Sequence, residues 1–229
     1  MSRAIIVALD GPAGAGKSTV AKRVAAAVGL SLVDTGAIYR TLALCALRNG
    51  VSVDDGHALG QVAATLPERL RFVMNDGHNG VSLDGEDVSL EIRTPAVSAA
   101  ASAVARHPEV RGALLGLQRA LGRLGKGSVL EGRDIGTVVF PDADVKAFVT
   151  AAPEERARRR MAELADRGEQ ADYATVLSEI VARDTQDQER PIAPLKAAAD
   201  AVVVDTTGKS LDEVTAAIVA LVDTALARR

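Results

Sequence analysis

One segment combines residue types and spacing that suit the binding of nucleotide phosphates. Residues 11–19 read GPAGAGKST, so three glycines precede a Lys-Ser pair. Glycine lets the backbone turn tightly and bring its N–H groups around phosphate oxygens. Lys17 can then reach the β- and γ-phosphates of a nucleoside triphosphate, and the Ser18 hydroxyl can ligate Mg²⁺. The segment therefore predicts a phosphate-binding loop, with the phosphates at the positive end of a helix that starts near Lys17.

Three further segments carry hydroxyl, carboxylate and guanidinium groups: DTGAIYR at 34–40, EGRDIGTVVFPDAD at 131–144 and RDTQDQERPIAPL at 183–195. Each follows a predicted strand or helix and is expected beyond the carboxyl ends of a parallel sheet, where ligands collect. Their candidate ligand groups are Asp34, Thr35, Tyr39, Arg40, Arg133, Asp134, Arg183, Asp187 and Arg190. Guanidinium groups that grip one phosphate, with a carboxylate to hold them, suit bidentate recognition. Together the segments predict a second phosphate site.

The spacing inside two segments refines this prediction. Arg183, Asp187 and Arg190 lie four and three residues apart, which places them along one helical face. Pro191 should end that helix near Arg190. In EERARRRM at 154–161, Arg156 and Arg160 share a face. That face is either a charged solvent surface or a lid whose arginines close over the transferring phosphoryl group and exclude water.

The elements that must position these groups alternate between short apolar runs and stretches with helical periodicity. Continuously apolar runs are typical of strands covered on both faces, so the pattern predicts an α/β fold with a mostly parallel sheet flanked by helices. The predicted strands are 4–9, 31–34, 128–131, 145–150 and 201–205. The predicted helices of this pattern are 17–28, 36–48, 108–124, 154–167, 174–183 and 211–227.

Residues 69–89 interrupt the alternation with RLRFVMNDGHNGVSLDGEDVS. Short alternating strands separated by Asn-Asp-Gly, Asn-Gly and Asp-Gly turns are expected here, so the segment predicts a small antiparallel insertion. It falls between predicted helices at 54–66 and 92–104. The polar stretch 166–172, which contains Gly168, is expected to form a mobile loop between two helices.

Composition excludes several classes of protein. The chain has 229 residues, 48% hydrophobic and 25% charged, which suits one folded domain with an insertion. A net charge of -3 and only 2% aromatic residues argue against binding to nucleic acid or to an anionic membrane. No early apolar run is long enough for a membrane span or a secretory signal, so a cytoplasmic protein is expected. The lone Cys45 is expected to be a buried thiol.

The motifs also separate this chain from other nucleotide-binding classes. No Asn-Lys-x-Asp guanine reader follows a later strand, as a GTPase would require. The third predicted strand ends in Glu131-Gly132-Arg133-Asp134 and not in the metal-binding Asp expected of a motor or transport ATPase. By contrast, GPAGAGKST, DTGAIYR, EGRDIGTVVFPDA, the ExRAxRR helix and APLxxAxDAxxxDTT resemble the bacterial-type cytidylate kinases from end to end.

This resemblance implies a P-loop kinase with a five-stranded parallel sheet, a lid and an enlarged acceptor region carrying the β insertion. Within a single kinase domain of residues 1–229, it implies a core at 1–34 and 105–229, a lid near 153–172, and a CMP-binding region at 35–104 with the insertion near 69–89. The implied reaction converts ATP and CMP or dCMP into ADP and CDP or dCDP, with Mg²⁺. A monomer is implied.

The resemblance also implies roles for individual residues. Contacts to ATP are implied for Gly11, Pro12, Ala13, Gly14, Ala15, Gly16, Lys17, Ser18 and Thr19, with Ser18 on the metal. Contacts to the acceptor nucleotide are implied for Thr35, Tyr39, Arg40, Ser102, Arg111, Gly132, Arg133, Asp134 and Asp187. Catalytic roles are expected for Lys17, Arg156, Arg160, Arg183 and Arg190.

Two other functions stay open on the sequence alone. A P-loop kinase for another small acceptor, such as UMP or shikimate, would share the phosphate loop and most of the arginines. A nucleotide-dependent switch or regulatory ATPase would need no small acceptor and would respond to a protein partner. The paired acceptor arginines argue against the switch.

Overall fold

The structure, a computed structural model, describes residues 3–75, 78–166 and 168–228. The chain divides into two compact units. The first unit contains Met1–Val33 and Gly122–Arg229, and the second contains Asp34–Leu121. The functional division into a core, a lid and a CMP-binding region at 35–104 stays a prediction.

Strands and helices alternate through most of the chain. The strands are β1 Ile5–Asp10, β2 Ser31–Asp34, β3 Leu70–Asn75, β4 His78–Leu83, β5 Glu86–Asp87, β6 Gly127–Gly132, β7 Val145–Thr150 and β8 Val202–Asp205. The α-helices are α1 Lys17–Val28, α2 Thr35–Arg48, α3 Gly56–Arg69, α4 Pro95–Val104, α5 Pro108–Gly122, α6 Pro153–Asp166, α7 Tyr173–Glu189 and α8 Leu211–Ala227. A 3₁₀ turn at Glu91–Arg93 and a π-helical turn at Ile135–Val139 complete the elements.

A five-stranded sheet in the order β2-β6-β1-β7-β8 forms the centre of the first unit. β1 is parallel to β6 on one side, with Asp10 opposite Gly132, and parallel to β7 on the other. Every residue of β1 and of β6 is buried, as expected for strands covered on both faces. The carboxyl ends of β1 and β6 therefore lie side by side at one edge of the sheet.

Helices α1 and α8 supply much of the apolar cover of this sheet. Val20 and Val24 of α1 and Ile218 of α8 belong to the same core cluster as the buried residues of β1 and β7. Ser210 begins α8 with a capping box, because its hydroxyl accepts the N–H of Glu213 while the Glu213 side chain accepts the N–H of Ser210. These two hydrogen bonds fix where α8 starts.

The second unit has a core of its own, formed by α2, α3, α4, α5 and the antiparallel sheet β3-β4-β5. Ile38, Leu42, Leu59, Ile92 and Leu114 are all fully buried in it. The Asp34 side chain accepts the N–H of Ala37 and caps α2, as Asp55 caps α3.

The structure confirms the predicted α/β fold class and the five predicted strands, with no end shifted by more than one residue. The insertion is antiparallel as predicted, and Asp84-Gly85 forms a turn. The predicted Asn-Gly turn is wrong, because Asn79-Gly80 lies inside β4 and pairs with β3. The predicted Asn-Asp-Gly turn falls on residues 76–77, outside the described residues.

The helix predictions were less accurate at their carboxyl ends. The helix predicted at 174–183 continues to Glu189, and the one predicted at 54–66 is α3, which begins at Gly56 and ends at Arg69. The helix predicted at 92–104 is a 3₁₀ turn followed by α4, since Pro95 begins a new helix at its first position. Within the described ranges, no helix is both long and apolar enough to cross a bilayer.

Candidate active site

The glycine-rich segment connects β1 to α1, in the context that a phosphate-binding loop requires. Gly11, Gly14 and Gly16 all have positive φ angles, of 147°, 75° and 83°. A side chain at Gly11 could not be accommodated, because its Cβ would lie 1.9 Å from the main-chain oxygen of Val149. The sequence therefore forms this loop only because glycine stands at these positions.

Lys17 is the first residue of α1 and is almost completely buried. Its Nζ donates a hydrogen bond to the carbonyl of Pro12 at 2.5 Å. Burial lowers the pKa of Lys17 well below its usual value, and the nearby positive charges of Arg133 and Arg183 lower it further. Glu131 and Asp10 oppose this shift, so cationic and anionic side chains meet in one small region beside the loop.

Ser18, the second residue of α1, contacts the end of strand β6. Its hydroxyl donates a hydrogen bond to Oε2 of Glu131 at 2.6 Å. Glu131 is 6% exposed. The sequence interpretation counted Glu131 only as a departure from a motor-type metal ligand and gave it no role. A role for Glu131 could have been inferred from the pairing of β6 with β1, because that pairing places a residue at the end of β6 beside the phosphate loop.

A cluster of two arginines and two aspartates lies in the same unit. Arg133 donates from Nε to Oδ2 of Asp187 at 2.9 Å. The Nη2 atom of Arg190 lies 3.7 Å from Oδ1 of Asp134, and its Nη1 atom lies 3.9 Å from Oδ1 of Asp187. The Nε of Arg190 donates to the carbonyl of Ala193. The carboxylates therefore hold both guanidinium groups in defined positions, as the sequence argument expected of a phosphate site.

Helix α7 and the residue that follows it supply Asp187 and Arg190 to this cluster. Arg183 and Asp187 lie within the helix, whereas Arg190 follows its last residue and has an extended ψ of 136°. The prediction that all three lie along one helical face is therefore wrong for Arg190. The prediction that Pro191 ends the helix near Arg190 is confirmed, since proline disfavours the helical conformation of the residue before it.

Arg156 of α6 is buried in a network of hydrogen bonds. Its guanidinium is paired bidentately with Asp184 of α7, with one contact, from Nη1 to Oδ1, of 3.0 Å. It also donates to the main-chain carbonyls of Ala13, in the phosphate loop, at 3.1 Å and of Ala151 at 3.0 Å. In this structure Arg156 therefore links α6 and α7 to the phosphate loop.

Arg160, expected to act beside Arg156, has different surroundings. Its side chain is 39% exposed and pairs with Glu163 one helical turn further on, at 3.2 Å. Arg159 is instead the α6 arginine nearest Gly16, with Nη1 3.7 Å from the position of a Cβ there. Arg159 also donates to the hydroxyl and carbonyl of Thr206. Arg156 and Arg160 lie four residues apart in α6 and share a face as predicted, but they contact different partners, and a lid role for both stays a prediction.

The second unit holds the remaining candidates around the start of α2. Thr35 is buried at the first position of α2. Arg40 pairs with the capping Asp34 at 2.6 Å. The guanidinium of Arg111 lies 5.5 Å from the centre of the Tyr39 ring and donates to a main-chain carbonyl. Two arginines, a tyrosine and a threonine thus occupy neighbouring positions of one unit.

Two candidates have few described contacts. Ser102 is half-buried in α4, and Gly132 is the last residue of β6, opposite Asp10 in β1.

Sequence reasoning did not identify Asp10, Glu131 or Asp184 as site residues. Each of them acts through a partner distant in the chain, so local spacing gives no indication of it.

A parallel sheet, a glycine loop at the end of β1, and a lysine and arginines near that loop define a P-loop nucleotide-binding protein of the kinase type. The family model described as "Cytidylate kinase" matches residues 7–224. The chain therefore belongs to the cytidylate kinase family, a family of phosphotransferases that use ATP as donor and CMP as acceptor. This confirms the resemblance identified in the sequence.

Individual relatives support the same assignment. A cytidylate kinase of Geobacter sulfurreducens is 50% identical over 212 residues, which cover 93% of this chain and 90% of that protein. One of Pectobacterium atrosepticum is 51% identical over 211 residues, covering 92% of each. Among solved structures, an uncharacterized protein from Eubacterium ventriosum is similar in fold alone, with a TM-score of 0.53 at 13% identity over 96% of this chain and 98% of that one.

Proposed function

We propose that this chain transfers the γ-phosphoryl group of ATP to CMP and to dCMP in pyrimidine nucleotide metabolism. Membership of the cytidylate kinase family supports CMP as the acceptor. dCMP lacks only the 2′-hydroxyl of CMP, so the same contacts to base and phosphate are available to it. The chain acts as a cytoplasmic monomer on these small molecules, without nucleic acid or membrane.

The ATP phosphates bind to the main-chain N–H groups of the phosphate loop and to Lys17. The loop residues assigned to ATP are Gly11, Pro12, Ala13, Gly14, Ala15, Gly16, Lys17, Ser18 and Thr19. Three positive φ angles in this loop support the assignment, because they turn successive N–H groups toward a common point. The start of α1 adds the favourable field of a helix amino end.

The residues around Ser18 fit Mg²⁺. A hydroxyl oxygen and a carboxylate oxygen, from Ser18 and Glu131, already lie 2.6 Å apart beside the loop. Mg²⁺ prefers oxygen ligands and is usually bound by one or two carboxylates together with substrate phosphates. These two residues would therefore hold the ion, which supplies charge neutralisation when bound.

Nine residues are assigned to the acceptor nucleotide. They are Thr35, Tyr39, Arg40, Ser102, Arg111, Gly132, Arg133, Asp134 and Asp187. The hydroxyl of Thr35 can hydrogen-bond a pyrimidine edge. Guanidinium groups suit the acceptor phosphate, and the ion pair of Arg133 with Asp187 supports this role because it fixes the orientation of a donor.

Transfer needs positioning and charge neutralisation and little covalent chemistry from the protein. A phosphate oxygen of the acceptor forms a bond to the γ-phosphorus while the bond to the β–γ bridging oxygen breaks, and ADP leaves with that electron pair. No general base is required, because the acceptor phosphate is already an anionic nucleophile. Lys17, Arg183 and Arg190 stabilise the charge on the transferring group, aided by Arg156 and Arg160.

The contact between the phosphate loop and the end of β6 is the observation that carries this proposal. Ser18 of the loop donates to Glu131, which lies two residues before Arg133 of the acceptor site. Burial, and then the positive charge of Arg133, lower the pKa of Lys17, which also supports a short separation between the ATP site and the acceptor arginine.

A coupled assay of ADP release tests the proposal. CMP and dCMP should stimulate ADP formation from ATP, and UMP and AMP should do so far less. Lys17→Met should abolish the stimulation, whereas Lys22→Met, at an exposed position of the same helix, should not. Preference for another acceptor would indicate a different small-molecule kinase, and ATP hydrolysis unaffected by any acceptor would indicate a switch.

A further inference from the structure

Asp10 is a buried carboxylate directly before the phosphate loop, and no step of the mechanism above uses it. It is the last residue of β1 and is 5% exposed. Its Oδ1 accepts the N–H of Ile135 and its Oδ2 accepts the N–H of Gly136, each at 2.7 Å. Both carboxylate oxygens are thus committed to the main chain of one short segment.

These two bonds continue the strand pairing beyond the end of the sheet. The ladder between β1 and β6 ends with Asp10 opposite Gly132. After Gly132 the chain leaves the sheet and enters the π-helical turn at Ile135–Val139. The Asp10 side chain therefore connects the end of β1 to the start of that turn, beyond the last pair of the ladder.

The segment held in this way carries two groups assigned to the acceptor site. Arg133 and Asp134 lie between the end of β6 and the two N–H groups that Asp10 accepts. Arg133 donates to Asp187, and Asp134 lies 3.7 Å from Arg190. Any shift of the turn relative to β1 would move these groups relative to the phosphate loop, which begins one residue after Asp10.

We propose that Asp10 is a positioning residue that fixes the segment carrying Arg133 and Asp134 against the start of the phosphate loop. The proposal rests on the function proposed above, in which these groups face the acceptor phosphate. Loss of the two hydrogen bonds that Asp10 accepts would displace the segment carrying Arg133 and Asp134, whereas the loop that binds ATP would keep its position. It should therefore lower kcat with little change in the KM for ATP.

The charge of Asp10 is kept where the surroundings disfavour it, which supports a functional role. Burial raises its pKa to about 6, although the two N–H bonds oppose that shift. The charged groups that face it are Asp134, which raises the pKa, and Lys17 of α1, which lowers it. Lys146 of β7 approaches the same Gly136 but is paired with Asp200.

Asp10→Asn is the direct test, since the amide keeps the shape of the side chain but can accept only one of the two N–H bonds. Asp144→Asn is the matched control. Asp144 also accepts a main-chain N–H of β1, that of Ile6 at 2.8 Å, but far from the phosphate loop along the strand. Asp10→Asn should lower kcat on the order of 10- to 100-fold, and Asp144→Asn should leave it unchanged.

The dependence on pH separates positioning from a general loss of folding. The ratio of wild-type to Asp10→Asn kcat cancels the titration of the substrates that both enzymes share. As the pH falls through about 6, wild-type Asp10 gains a proton and loses an acceptor, so this ratio should fall. The corresponding ratio for Asp144→Asn should stay constant.

Gly136→Ala provides a second variant that retains the carboxylate. Its new methyl group would lie 3.4 Å from Oδ2 of Asp10 and 3.2 Å from Cδ of Lys146, so it should lower kcat in the same direction, but less. Gly136→Ala tests the positioning role of Asp10 if Asp10→Asn does not fold. Unchanged kcat in folded Asp10→Asn, or in Gly136→Ala where the first does not fold, overturns the inference. A wild-type chain without CMP-dependent turnover overturns the proposed function itself.

Discussion

Replacement of Asp184 by Asn removes the charge that faces a buried guanidinium. The Arg156 side chain is only 3% exposed and that of Asp184 only 14%. Both Nη atoms of Arg156 are bonded to the two carboxylate oxygens. The amide would place an NH₂ group against one of these donors and leave the positive charge uncompensated.

The free energy of unfolding should fall by about 3 kcal/mol, the lower end of the range for breaking a buried ion pair. The lower end applies because Asp184 keeps some contact with solvent and Arg156 keeps its bonds to two main-chain carbonyls. For a chain of this length, each kcal/mol lowers Tm by about 2–4 °C, so a decrease of about 6–12 °C is expected.

Urea and thermal denaturation of purified protein measure this effect, with Glu163→Gln as the matched control. Glu163 also pairs with an arginine of α6, but the two side chains are 59% and 39% exposed. An exposed pair contributes at most about 1 kcal/mol, so the control should be close to wild type. Equal decreases in the free energy of unfolding of the two variants would refute the argument that burial determines how much the Arg156–Asp184 pair stabilises the fold.

Three further predictions concern catalysis, the loop and pH. Arg190→Ala should lower kcat on the order of 10²- to 10³-fold with an unchanged circular dichroism spectrum, whereas Arg158→Ala, at a side chain 62% exposed, should leave kcat unchanged in the same assay. Gly11→Ala should abolish ATP binding measured by calorimetry, because its Cβ would lie 1.9 Å from a main-chain oxygen. Gly29→Ala also has positive φ, but with nothing within 4 Å its cost should be limited to about 1–2 kcal/mol of stability. The pKa of the Asp10 carboxyl is about 6 in the folded state and 3.8 in the unfolded chain, so between these values the folded state binds more protons. The contribution of Asp10 to the free energy of unfolding should therefore rise as the pH falls from 6 to 4. Denaturation curves of Asp10→Asn should lack this contribution.

The sequence was most informative where structure is decided locally. The glycines of the phosphate loop, the apolar runs of β1 and β6 and the helical spacing of apolar residues in α1 and α8 act within a few residues. Their patterns therefore predicted the sheet, most helix starts and the position of the loop. Continuous burial of β1 and β6 is the property that the apolar runs had indicated.

The features that the sequence missed depend on contacts between distant segments. Helix α7 continues to Glu189 through a polar stretch without apolar periodicity, so the apolar pattern ended the predicted helix too early and only Pro191 indicated where it stops. Asn79-Gly80 favours a turn locally, but pairing with β3 overrides that preference. Glu131 and Asp10 become notable only once β6 and β1 are known to be neighbours.

The measurement that tests the central claim most directly is ADP formation from ATP and Mg²⁺ in the presence of single nucleoside monophosphates. Cationic groups that converge on one phosphoryl group, in a chain of the cytidylate kinase family, predict turnover with CMP well above that with UMP or AMP. A purified, folded chain that binds ATP but forms ADP at the same rate with and without CMP would contradict the account.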